Sequence, residues 1–184
     1  MRIPRVATAS AVIVLSGICF AASPYVGQDA REIKALSESE VADLLAGKGM
    51  GYAKAAELNG YPGPAHVIEL AAQLQLTPEQ LNRTRDIHAR MEAAAKAAGA
   101  SLVAAERELD VLFRSHTVTS ELMATALKQI AEAEARVRGA HLAAHIEQTS
   151  VLSPEQITQY SELRGYRGAT RHLDHAHPNH RSQH

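Results

Sequence analysis

The chain has 184 residues, 46% of them hydrophobic but only 4% aromatic, and a formal net charge of −1. That length suits one modest domain, and the near-neutral balance excludes the basic footprint of a nucleic-acid binder. An alanine-rich composition without tryptophan favours closely packed helices over an aromatic-rich sandwich or barrel.

Residues 1–22 read as a secretory signal peptide. Arg2 and Arg5 form a charged start, Ala7 to Ala22 an apolar run, and Ala21 and Ala22 suit cleavage. The run is short for a spanning helix, which needs about 20 residues, so a cleaved signal is preferred to an uncleaved membrane anchor. Cys19 is the sole cysteine and lies inside this segment; Ile18 before it is too large for the usual lipidation site. A mature chain without cysteine fits export to a bacterial periplasm with packing as its only staple.

Residues 23–64 form an N-terminal extension. Its first part, 23–36, reads as a mobile mature N-terminus. Ser37 or Ser39 is predicted to cap a short helix through Val41, Leu44 and Leu45, which Gly47, Gly49 and Gly51 break. Tyr52 to Leu58 suits another short helical piece. Asn59-Gly60 and Tyr61-Pro62-Gly63-Pro64 are turn signals.

Residues 65–168 form the main helical unit. A helix through His66, Leu70 and Leu74 leads to the hexapeptide Leu76-Thr77-Pro78-Glu79-Gln80-Leu81, and Leu152-Ser153-Pro154-Glu155-Gln156-Ile157 repeats it near the other end. Each copy reads as a complete helix start. Thr77 and Ser153 serve as N-caps, and Pro78 and Pro154 sit where a missing N–H costs nothing. Gln80 and Gln156 reach back to close a capping box, and the flanking apolar pairs form a hydrophobic staple.

Between the copies lies a seven-residue repeat. Leu81, His88, Ala95, Leu102, Leu109 and His116 take one seam position; Thr84, Met91, Ala98, Ala105 and Leu112 take the other. Ser115 to Ser120 breaks the pattern, with Thr117 and Thr119 as caps. A second long helix carries the stripe Met123, Leu127, Ile130, Ala133, Val137, Ala140 or His141, and Ala144. The expected fold is all-α: a long antiparallel helical hairpin with short accessory helices. So thin a hairpin leaves one apolar side uncovered, which predicts an intertwined or side-by-side homodimer. Residues 169–184 read as a disordered His-rich tail.

Paired LTxxQ-type hexapeptides in an exported, cysteine-poor helical chain resemble the Spy/CpxP superfamily of periplasmic stress proteins, which includes CnrX-type heavy-metal sensors and metal-resistance relatives. The resemblance covers roughly 65–168; the second copy departs only by Ser153 in place of Thr. It implies a small helical dimer that acts as an ATP-independent chaperone, a modulator of envelope stress signalling or a metal sensor. Gly49-Met50-Gly51 through Pro64 is similar to the N-terminal extension of sensor-like members. Those sensors carry His-x-x-x-His before the first motif, where this chain has only His66 and Leu70. Here the pair precedes the second motif instead, as His141 and His145.

The histidines decide between these roles. His141 and His145, four apart on a helix, put both rings on one face. Folding the hairpin near residue 117 brings His88 beside them, with Glu92 or Glu147 to complete a shell. His172, His175, His177, His180 and His184 lie in the tail. Imidazole suits Zn, Ni, Co or Cu; none of these is expected to be required for folding. His66 reads as a packing or capping residue and His116 as the exposed hairpin tip. No nucleophile motif, phosphate loop or carboxylate pair points to an enzyme. The expected function is periplasmic metal binding in heavy-metal sensing or resistance. The alternative is a chaperone or stress modulator, with Met91, Leu102, Leu109 and Met123 as its client surface. Its partners would be unfolded envelope proteins or a membrane-bound signalling protein.

Overall fold

The computed structural model describes residues 23–166; the signal-peptide and His-rich-tail expectations therefore fall outside the described residues. Six helices follow in order: α1 (Glu38–Leu45), α2 (Lys54–Glu57), α3 (Pro64–Glu69), α4 (Pro78–Arg114), α5 (Ser120–Thr149) and α6 (Pro154–Leu163). A 3-10 turn at Gln28–Ala30 precedes them, and no strand occurs among the described residues. The 37 residues of α4 make a rod about 55 Å long at 1.5 Å per residue. It runs antiparallel to α5, and no helix among the described residues is long and apolar enough to cross a membrane.

Both hexapeptides form the capping boxes expected of them, Thr77 with Gln80 and Ser153 with Gln156. They also meet. Gln80 Nε2 donates to Gln156 Oε1 at 2.9 Å, and Gln156 Nε2 donates back to Gln80 Oε1 at 3.1 Å. The second hydrogen of each amide goes to a backbone carbonyl, Val151 for Gln80 and Leu74 for Gln156. Each oxygen also accepts the N–H of its own cap residue. Two helix starts far apart in sequence thus become one closed amide pair, with Leu74, Leu152 and Tyr160 packed around it.

The α4–α5 seam is built on small residues. Ala95, Ala98, Leu102 and Ala105 of α4 and Ala133, Val137 and Ala144 of α5 are buried as the repeat requires. Three expectations need correction. Ile87 and Val103, outside the assigned seam, are buried, because extra elements pack on α4 beside α5. Near the tip Ala126 turns inward, while Met123 and Leu127 face solvent. The extension also does not trail away: Ile33 is only 2% exposed and joins Leu44 in the core with Ala98, Leu102 and Val103. Arg107 anchors Glu32, and Asp110 accepts from the Lys34 backbone. The apolar side that a bare hairpin would leave open is therefore partly covered by the chain's own N-terminal segment.

Gly99 makes that docking possible. A Cβ there would sit inside contact distance of the Leu44 carbonyl, so the end of α1 rests directly on the α4 backbone.

Candidate metal centre

The extension, the open end of the hairpin and the end of α6 enclose a cavity of about 580 Å³. Its lining includes His66, His88, His141 and His145, with Glu57, Glu92, Met50 and Met91. Two helix ends shape it. Gly47, at φ 68°, turns the chain after α1, with Lys48 N–H bonded to the Asp43 carbonyl; this brings the Lys48 backbone to the cavity wall. Gly165, at φ 75°, does the same after α6, with Tyr166 N–H bonded to the Ser161 carbonyl. Both are glycine-terminated helix ends that fold the next residue back on the helix.

His141 and His145 are 3% and 7% exposed. His145 Nδ1 lies 2.8 Å from the Tyr61 carbonyl. That oxygen can only accept, so Nδ1 is the nitrogen that carries the proton in the neutral ring, the tautomer common to metal-binding histidines. Gly63 packs against this ring: a Cβ there would lie 2.9 Å from Cε1 and 3.1 Å from Nε2. His141 lies parallel to the Tyr52 ring, 6.4 Å away between centroids. Its Nε2 is buried without a hydrogen-bond partner. Burial, reinforced by His145, holds the His141 pKa below the usual histidine value against a smaller opposing effect of the Lys48 backbone. That shift favours the neutral imidazole.

Glu57 sits at the junction of the elements, and sequence reasoning passed over it. Its Oε1 accepts from Tyr160 at 2.5 Å and Tyr166 at 2.8 Å. Arg164 Nε and His66 Nδ1 lie 3.6 and 3.5 Å from the same oxygen. Oε2 faces His145 Nδ1 at 3.6 Å and is buried without a hydrogen-bond partner. Burial and the Glu57 carboxylate push the Tyr160 phenol far above its usual pKa. Nothing local marks Glu57 in the sequence, since its partners come from α3, α5 and the end of α6.

His88, His141 and His145 thus line one cavity, as the folded hairpin predicts. Among the described residues, however, no three His, Cys, Asp or Glu side chains stand close enough together to hold one ion. Glu92 lines the cavity and pairs with Lys96, whereas Glu147 pairs with Arg90 at 2.6 Å outside it. His66 is half-buried between Glu57 and Arg164, and His116 is exposed at the tip. Of the residues expected to meet clients, Leu102 is buried in the core and Met91 lines the cavity. Leu109 is half-buried, and Met123 is exposed. The cavity is lined by imidazoles, carboxylates and thioethers, and two of its buried polar atoms, Glu57 Oε2 and His141 Nε2, have no hydrogen-bond partner.

Fold and cavity together define a class, an all-helical hairpin with a histidine-lined chamber at its open end. No family model, curated protein or solved structure matches the chain.

Proposed function

We propose that this chain is an exported, periplasmic metal-binding protein of the heavy-metal sensing or resistance type, a Spy/CpxP-like relative that takes Zn, Ni, Co or Cu. The observation that carries this reading is the unpartnered His141 Nε2, buried at a cavity that His145 and His88 also line. A buried polar atom without a partner costs about 1–3 kcal/mol, and a metal bond would remove that cost. An ion held there supplies positive charge and a cross-link between α5 and whatever else binds it. His145 is oriented by Tyr61, and Glu57 offsets the positive charge of Arg164 at the rim.

The test is calorimetric titration of the mature chain with each metal. Binding tighter than about 100 µM is expected, with a loss of about tenfold or more in the His141→Ala/His145→Ala variant at unchanged helix content. Weaker binding by the wild type, or an unaffected variant, refutes the reading.

A second reading, an ATP-independent chaperone or stress modulator working as a homodimer, draws on the hairpin tip. Val111, Phe113, Leu122, Met123 and Leu127 are exposed there. Its client surface would be this tip, not the buried Leu102.

A further inference from the structure

One stretch of chain serves both the cavity and the core. Residues 46–51 and Lys54 line one side of the cavity. They continue directly from α1, whose Leu44 is buried with Ile33 against Ala98, Leu102 and Val103. Tyr52 joins the two regions: it packs against that core and lies parallel to the His141 ring. Gly47 also presses on α4, where a Cβ would stand 3.1 Å from the carbonyl oxygen of Glu92, a cavity residue. Movement of α1 away from the seam therefore moves the cavity wall with it.

This stretch is lightly held. Between residues 23 and 55 only Ile33, Leu44 and Gly47 are buried. The Glu32–Arg107 ion pair is exposed on both sides, and such pairs contribute little. A segment with few buried contacts belongs to the low-stability end of a fold, from which ligand-responsive elements are drawn. His88, His141 and His145 stand on the two long helices; the wall facing them does not. An ion enclosed by both favours the docked extension, and docking raises affinity for the ion by the same factor.

We propose that ion occupancy of the cavity and docking of the N-terminal extension on the α4–α5 seam are one coupled equilibrium. The bound ion thereby regulates how firmly the apolar face of Ala98, Leu102 and Val103 is covered. This deepens the metal-binding reading above and rests on it.

The test has two arms, both on the full mature chain with whichever of Zn(II), Ni(II), Co(II) or Cu(II) binds tightest in the titration above. The first is amide exchange of the wild type with and without saturating metal. Exchange at Lys34 and Leu44 should slow by about fivefold or more, while Met123 and Leu127 at the tip stay as they were. Lys34 is the more telling probe, because its anchor Asp110 lies about 27 Å along α4 from Glu92 at 1.5 Å per residue. The second arm is metal affinity of Ile33→Ala and Ile33→Asp, neither of which alters a cavity residue. Far-UV circular dichroism confirms that the long helices persist. Affinity should fall in both, by about fivefold or more in Ile33→Asp. If the wild type binds metal but exchange at Lys34 and Leu44 is unchanged, the inference is overturned and the metal-binding reading stands. Wild-type affinity in both Ile33 variants has the same meaning. If the wild type binds nothing tighter than about 100 µM, the metal-binding reading itself fails and takes the coupling with it.

Discussion

Gly63 is the most exacting single position in the cavity. Its missing side chain leaves room for the His145 ring, whose Cε1 would otherwise meet a Cβ at 2.9 Å. Gly63→Ala therefore has to displace His145 from the Tyr61 carbonyl. It is expected to weaken metal binding by about tenfold or more, as loss of an orienting partner does, while the helix content by circular dichroism stays unchanged. Retained affinity in this variant would mean that His145 is not a ligand. The histidine pair was legible in the sequence because four-residue spacing on a helix is a local fact. Glu57 was not, because its environment is assembled from the ends of other helices, and Gly63 looked like ordinary turn chemistry next to two prolines.

At the scale of elements, the hexapeptides were legible as helix starts because capping is settled within four residues. Their pairing was not, since a glutamine at the third helical position gives no sign of a distant partner. The reciprocal amides predict coupled energetics. Gln80→Ala or Gln156→Ala alone leaves a half-buried partner short of a bond and should cost about 1 kcal/mol. The double variant should cost less than the sum, with a coupling of about 0.5–3 kcal/mol in a urea-melt cycle; strict additivity would show that the pair does not act as one. Helix α1 offers a contrast, because its cap is ionised. Ser37 hydrogen bonds hold the Glu40 carboxyl below its usual pKa of 4.5. A depressed carboxylate stabilises the fold above that unfolded value, and the contribution is lost as pH falls through the lower folded one. Docking of α1 should therefore weaken below about pH 4.5, seen as earlier amide exchange at Leu44 and Ala98. Glu40→Gln should remove that pH dependence.

For the molecule as a whole, the hairpin and its direction reversal near residue 117 could be read from periodicity. The docked extension could not, because Ile33 and Leu44 form no long apolar repeat and their burial depends on a gap at Gly99. With that side partly covered, one group of exposed apolar side chains, Val111, Phe113, Leu122, Met123 and Leu127, remains at the tip. If copies pair or clients bind there, Phe113→Glu/Leu122→Glu should lower the mass measured by light scattering or abolish suppression of client aggregation. A wild-type chain that is monomeric and inactive towards clients would dismiss both uses of the tip. The amide pair has a wider consequence. It contains no ionisable group, and all four of its N–H bonds are spent within the protein. Acid that protonates histidines and carboxylates elsewhere in the protein leaves these neutral amides unchanged. The two helix starts are thus held in register by a contact that pH does not titrate.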